Sequence, residues 1–492
     1  MFRPSRYLSR VMGIGPVQRQ SLISLTSTLG LTALGLVSTM YFAHVLGPAV
    51  LGAYFLFLAY FGIFNIIGDG GLGGAAVKRI SEGRDQNEFF GAFLLLRIGL
   101  LAVSVAVLLA LRPFLVDLTS SEVYLWLLLA LVVSVIATWS SYGVYGSGKV
   151  GIHQISGLFN NTARIIVQVV AVFLGFGAAG LMGGFVAGMI AGSLLNLRFL
   201  ELRPARFGRR HVASLLAFSF WIFLSSGGIV IFTYADTVLI GYFLTEADVG
   251  IYRVAFLLTS VATFTATSLH ITLFPRISHW GAHSDLRSVE TALARAFTYS
   301  LLLAVPVCFG GWILGDRILY FFYGASFVSG APALNILLAM QVAHVFMYLQ
   351  TMSLNALDRP RVSFQVTAVA SVINIALNLI LIPAVGIVGA AVATLATMVV
   401  NAGLAYRSLS RILPVRIERS AVGHILLAAS VMALVTALFR LLVPLTSIVW
   451  VIAAVALGAL IYGFMLLNTD RDIHDELRDL ALKLGIPWPS WL

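Results

Sequence analysis

From residue 21 almost to the end, the chain alternates long apolar runs with short polar connections. A helix needs about 20 apolar residues to cross the roughly 30 Å of hydrocarbon in a bilayer. Fourteen such runs recur, at 21–46, 50–74, 89–111, 122–147, 152–175, 178–199, 213–243, 249–274, 293–314, 331–356, 362–382, 385–407, 420–440 and 445–467. Whole segments are apolar, without the alternation of polar and apolar residues that barrel strands show, so helices are predicted. The pattern predicts an all-α integral membrane protein and leaves no stretch for a globular domain.

Composition agrees. Of 492 residues 60% are hydrophobic and 10% charged, which excludes an ordinary soluble protein. The charges that remain are placed unevenly: 24 of the 31 Lys and Arg fall at one set of helix ends, against Arg112, Arg317 and Arg440 at the other. By the positive-inside rule both termini face the cytoplasm, and the site of action is the cell membrane. The net charge of +11 then reflects insertion topology and contact with anionic headgroups of membrane lipids, and it requires no nucleic-acid partner. The run behind the basic start MFRPSRYLSRVMGIGPVQRQ is too long for a signal peptide and lacks a small-residue cleavage site, so the first span is expected to stay. Cys308, the one cysteine, lies in a span, which excludes disulfides and cysteine-ligated metal.

The chain also repeats. GPAVLGAY (47–54) matches TEADVGIY (245–252) at an offset of 198, and VKRISE and FPRISH share R-I-S about 25 residues further on. GAAGLMGGFVAG (177–188) lies over PAVGIVGAAVAT (383–394), pairing Gly180 with Gly386 and Gly183 with Gly389. Spans one to six therefore recur as spans seven to twelve in the same orientation. Two parallel repeats imply a pseudo-two-fold axis along the membrane normal, with a substrate path expected between the halves. The expected organisation is a basic segment 1–20, a six-helix lobe 21–200, a loop 201–212, a second six-helix lobe 213–408, two extra helices in 420–467 and a tail 468–492. In the tail Ile473, Leu477, Leu480 and Leu484 share one helical face ahead of Trp488 and Trp491, the pattern of an interfacial helix.

Polar residues stand in several spans at helical spacing: Asn160, Arg164 and Gln168 in the fifth; Asn374 and Asn378 in the eleventh, where the repeat matches them to Arg164 and Gln168; Gln341, His344 and Tyr348 in the tenth; Tyr54, Asn65 and Asp69 in the second; Ser24, Thr28, Thr32 and Thr39 in the first. A single such residue commonly bonds a neighbouring helix. Stripes on repeat-related helices are read as walls of one hydrated cavity. Charges are costlier at mid-bilayer unless paired or wet, and Arg97, Arg164, Asp236 and Arg253 all stand inside spans. Arg97, on a span with no other polar stripe, reads as packing or snorkelling. Asp236 reads either as a counter-ion to an arginine or as a site for H⁺ or Na⁺. GVYGSGK (143–149) matches G-x-x-x-x-G-K, but Val150 follows and a membrane helix precedes it, so no phosphate-binding loop is expected. With no nucleophile elbow and no metal-spaced histidines either, the chain reads as a transporter without cofactor rather than an enzyme.

Three motifs, D-T-V-L-I-G-Y-F-L with G-I-Y behind it, D-G-G-L-G-G-A-A-V-K-R-I-S, and G-I-V-G-A-A-V-A-T, resemble those of Wzx-type polysaccharide flippases of the multidrug/oligosaccharidyl-lipid/polysaccharide exporter superfamily. The resemblance implies alternating-access export of a polyprenyl-diphosphate-linked oligosaccharide, the tail staying in lipid, by a protein working as a monomer. It also implies that spans thirteen and fourteen form a groove for that tail. On this reading Arg164 and Arg253 pair with the phosphates, while Asn160, Gln168, Asn374, Asn378, Asn65, Gln341 and Tyr348 line the headgroup path. A cation-coupled multidrug exporter and a non-transporting scaffold for glycan assembly are the alternatives. Two extra helices and an arginine-bearing interior argue against the exporter of cations.

Overall fold

The computed structural model describes residues 16–114, 123–470, 474, 475 and 478, without the side chains of 16–29, 31–33, 225, 226 and 229. The stripe positions Ser24, Thr28 and Thr32, and the amphipathic tail with Trp488 and Trp491, lie outside these. The described elements are all helical: α1 (Pro16–Asp69), α2 (Leu72–Ser81), α3 (Gln86–Leu111), α4 (Val123–Gly146), α5 (Val150–Phe173), α6 (Gly177–Phe199), α7 (Arg209–Phe243), α8 (Glu246–Thr259), α9 (Phe264–Ala282), α10 (Leu286–Tyr323), α11 (Ala331–Ala356), α12 (Pro360–Val385), α13 (Ile387–Leu409), α14 (Arg419–Leu442) and α15 (Ile448–Thr469). Twelve stretches among the described residues are long and apolar enough to cross a membrane.

Glycines mark the joints. α1 holds both of the first two expected spans, and its helical geometry breaks between them at Gly47, whose φ of 76° is costly for a residue with a Cβ; Pro48 follows. Gly70 and Gly71 (φ 55° and 75°) end α1 and restart the chain as α2. A short 3₁₀ turn, Ser260–Thr263, joins α8 to α9 inside the eighth expected span.

The chain divides into two compact units after Tyr234, inside α7 and downstream of the 201–212 loop expected to separate the lobes. In the first unit the core is formed by Leu72, Ile80, Phe90, Phe93 and Leu215, with Trp139 stacked on Phe90 at 4.4 Å. α5 and α6 approach closely because α6 is lined with glycine: a Cβ on Gly184 would lie 3.0 Å from the Gln168 backbone nitrogen, and one on Gly188 2.7 Å from both Arg164 Cβ and the Asn160 carbonyl oxygen. In the second unit Gly389 of α13 lies against the Leu381 carbonyl of α12 in the same manner. Its expected partner in the repeat, Gly183, instead faces the Trp126 ring.

α14 and α15 belong to the second unit, fastened along α10. Arg440 of α14 makes a two-pronged ion pair with Asp316 (2.9 and 2.8 Å) and also donates to the Ile313 carbonyl. Tyr462 of α15 donates to the Leu302 carbonyl at 2.9 Å, and Leu301, Val305, Ile425, Ala428 and Leu466 pack between.

Replacing Gly184 by Leu should force α5 and α6 apart and lower stability by about 1–3 kcal/mol, seen as a drop in the unfolding temperature of the detergent-purified protein. Gly157→Ala on α5, where nothing lies within 4 Å of the added methyl, should leave that temperature unchanged or raise it.

Candidate functional site

The second unit buries a carboxylate. Asp236 lies in α7, and α8, which faces it, is started by a capping box: the Thr245 hydroxyl accepts from the Asp248 amide and the Asp248 carboxylate accepts from the Thr245 amide. That box sets the register that brings Tyr252 over Asp236. The Tyr252 hydroxyl donates to Asp236 Oδ2 at 2.7 Å, the Thr394 hydroxyl to the same oxygen at 2.6 Å, and Asn378 Nδ2 to Oδ1 at 2.6 Å. Asn378 Nδ2 also donates to Asn374 Oδ1 at 3.1 Å. All five side chains are buried. Three neutral donors hold the acid, with the charge of Arg253 close enough to act on it, and both readings of Asp236, counter-ion to an arginine and site for H⁺ or Na⁺, remain compatible with this geometry.

Two groups in this cluster are left over. Asn378 Oδ1 and Asn374 Nδ2 are buried without hydrogen-bond partners. The two ends of an amide are nearly the same size, so rotating the Asn378 amide would turn an oxygen, instead of a donor, towards Asp236. The carboxylate, two amide oxygens and the Thr394 hydroxyl would then converge, an oxygen-only set with a single negative charge, suited to a hard monovalent cation or a proton.

The first unit carries the corresponding positions with different chemistry. Tyr54, the repeat counterpart of Tyr252, accepts from Gln168 Nε2 at 3.0 Å, and Gln168, the counterpart of Asn378, also donates to the Leu181 carbonyl at 2.8 Å. At the offset of 198 the position of Asp236 is taken by Ser38, whose hydroxyl bonds its own helix at Gly35. Arg164 stands where the second unit has Asn374, half-buried, with its Nε enclosed and without a hydrogen-bond partner. Gly188 makes room for it. One helical turn away, half-buried Asn160 lines a small cavity of about 110 Å³ together with Ser141, His153 and Asn196.

The remaining expected residues are placed elsewhere. Arg253 follows Tyr252 on α8, half-buried, its guanidinium 5.6 Å from the Phe256 ring centre, within cation–π range. Gln341 is buried and donates to the Thr259 hydroxyl at 2.8 Å, tying α11 to the end of α8. Tyr348 lies half-buried between the rings of His270 and His344. Gln168, Gln341, Asn374 and Asn378 thus bond inside their own units. Asn65 accepts from Arg97 Nη2 at 2.6 Å. Arg97 itself is fully buried, also bonded to Ser134 at 3.2 Å and 3.9 Å from Asp69, so it neither snorkels nor merely packs. Sequence reasoning set Arg97 aside and did not single out Tyr252 and Thr394. The last two close the repeated G-x-Y and the G-I-V-G-A-A-V-A-T motif, which was the available signal.

The profile of a family described as polysaccharide biosynthesis protein matches residues 17–280, more than half of the chain. The chain belongs to that family. Two relatives come from Haloferax volcanii. The probable low-salt glycan biosynthesis flippase Agl15 is 28% identical over 458 residues, covering 92% of this chain and 94% of the relative. The probable flippase AglR is 26% identical over 477 residues, covering 94% and 98%. Among solved structures, the lipid II flippase MurJ in an inward closed conformation superposes with a TM-score of 0.78 at 18% identity, covering 92% of this chain and 99% of that one. An inward-facing multidrug resistance MATE transporter follows at 0.63 and 16%, covering 78% and 95%. The fold of this family member is therefore that of MurJ and the MATE transporters, and it is a multi-pass membrane protein.

Arg97→Met should be destabilising by about 3–5 kcal/mol, because Asp69, Asn65 and Ser134 lose a buried cation and its donors. Thermal unfolding checks it, and the Arg97→Met/Asp69→Asn double variant should recover part of the loss.

Proposed function

We propose that this protein is a flippase that carries a polyprenyl-diphosphate-linked oligosaccharide across the cell membrane by alternating access, for assembly of surface glycan. The observation that carries the reading is Arg164: a half-buried guanidinium in an apolar helix, beside Asn160, with an enclosed nitrogen that has no hydrogen-bond partner among the described residues. A charge kept in that setting is functional by default, and a guanidinium is suited to phosphate oxygens. A sugar diphosphate cannot enter hydrocarbon unaided, and polar walls with an arginine can replace its hydration. The names of Agl15 and AglR as flippases, the first for glycan biosynthesis, and of MurJ as a lipid II flippase support the same class of cargo. A cationic interior suits an organic-cation cargo poorly.

On this reading the chain has fourteen spans, α1 supplying two on either side of Gly47 and α7 the seventh, with both termini in the cytoplasm, and it works as a monomer without cofactor. Arg164 and Arg253 hold the phosphates; Asn160 and Tyr348 contact the headgroup; Asn65, Gln168, Gln341, Asn374 and Asn378 fix the helices that present them. α14 and α15 accommodate the polyprenyl tail. Asp236 is the coupling site, where H⁺ or Na⁺ replaces the donors now on its carboxylate.

Vesicles containing the purified protein and a labelled polyprenyl-diphosphate oligosaccharide should show protein-dependent exchange between leaflets. Arg164→Ala should lower the rate at least tenfold and Arg164→Lys less; full exchange by a correctly inserted Arg164→Ala protein refutes the phosphate role. No exchange of glycolipid, with gradient-driven efflux of an organic cation, would point to the multidrug exporter instead. Asp236→Asn should abolish the response of the rate to Na⁺ and H⁺ gradients, and an unaltered response removes the coupling role.

A further inference from the structure

α10 is far longer than a membrane requires. Its 38 residues extend roughly 57 Å at 1.5 Å per residue, nearly twice the hydrocarbon thickness. The stretch without charges starts at Ala296, so the first turns, from Leu286 to Arg295, are read as running through the interfacial layer and beyond. α9 ends beside them. Between the two helices lies a groove of about 510 Å³, and it has an ordered polarity.

Three arginines line it: Arg276 from α9, and Arg287 and Arg295 two turns apart on one face of α10. All three are exposed. Trp280 and the Thr291 hydroxyl stand among them, and deeper along both helices the lining becomes Leu269, Leu273 and Ala296. Two acids stand nearby, and the charge of Arg287 acts on one of them, Asp285. Glu290 is paired with Arg416 at 2.8 Å. Asp285 caps α10, accepting from the Ser288 hydroxyl at 2.5 Å and its amide at 3.1 Å, and these bonds hold its carboxyl below the usual range. Three positive charges at the mouth, an indole face and an apolar floor match a molecule with a multiply charged anionic head, a sugar to lie on the indole, and a greasy tail. A singly charged phosphodiester uses only part of this set.

We propose that the groove between α9 and α10 is a loading subsite that captures the diphosphate of the membrane-anchored glycolipid at the membrane–water boundary, before it reaches Arg164 and Arg253. The proposal rests on the flippase reading above. It is distinct in position, since these arginines lie at the interfacial ends of their helices, on the side bearing the basic connections. The interfacial ring of Trp280 places the first sugar, the guanidinium groups of Arg276, Arg287 and Arg295 hold the diphosphate, and Leu269 and Leu273 receive the start of the tail.

The test uses the full chain in nanodiscs and vesicles, with a fluorescent polyprenyl-diphosphate disaccharide as probe, competed by phosphatidylglycerol and by inorganic pyrophosphate. The variant Arg276→Gln/Arg287→Gln/Arg295→Gln should bind the probe at least tenfold more weakly. In the exchange assay it should raise the glycolipid density for half-maximal rate at least tenfold while changing the maximal rate less than twofold, whereas Arg164→Ala lowers the maximal rate. The corresponding triple Lys variant keeps the charges that guide insertion but loses the planar two-pronged geometry, and should fall between. Unchanged probe binding by the Gln variant, with native unfolding temperature, overturns the proposal. So does displacement of the probe by phosphatidylglycerol at equal density, which makes the groove a general phospholipid site, or by pyrophosphate at equal concentration, which makes it a free-anion site. If the unaltered protein binds the probe through these arginines yet exchanges no glycolipid, the capture site stands and the flippase reading fails.

Discussion

Hydrocarbon offers a polar group no water, so each one placed there must find a protein partner or a wet cavity, and the helices are arranged around that requirement. The buried carboxylate of Asp236 is met by Tyr252, Asn378 and Thr394, drawn from three further helices. Arg97 is met by Asn65 and Ser134 on its neighbours. Glycines serve the same end: by letting α5 lie close on α6, and α12 on α13, they bring side chains such as Gln168 within reach of a carbonyl on the adjacent helix. Lipid gives the helices no hydrophobic reason to associate, and these bonds and close contacts supply the specificity instead.

The two repeats obey that rule with opposite charge. One copy has an acid, an asparagine pair and a threonine; the other has Ser38 in place of the acid, Gln168 in place of Asn378, Gly188 near the place of Thr394, and Arg164 in place of Asn374. At the positions that the expected repeat pairs, one unit thus carries a buried acid and the other an arginine. That divergence is what a carrier needs if an anionic cargo and a small cation are handled by separate halves.

Much of this was legible in the chain. Hydropathy marked the apolar stretches, because a bilayer sets a minimum length for a spanning helix, and twelve among the described residues are helices that meet it. The stripes were only half legible. Periodicity reports which residues share a face, and not whether that face meets water or another helix, so Gln341, Asn374 and Asn378 looked like cavity walls although they are buried bonds within a unit. Arg97 was misjudged for the complementary reason: its partners sit on α1 and α4, and a search along one helix cannot find them. The first turns of α10 were hidden because Arg287 read as part of a connection when it stands at the start of a helix.

Thr394 has a consequence of its own. Its hydroxyl bears a single hydrogen but stands within bonding distance of two acceptors, Asp236 Oδ2 at 2.6 Å and the Ala390 carbonyl one turn back at 2.9 Å. A threonine that bonds back to its own helix bends that helix slightly, whereas one that points away leaves it straighter. Bonding to Ala390 would bend α13 and bonding to Asp236 would leave it straighter, so a lone hydrogen links the carboxylate to the curvature of the helix beside it.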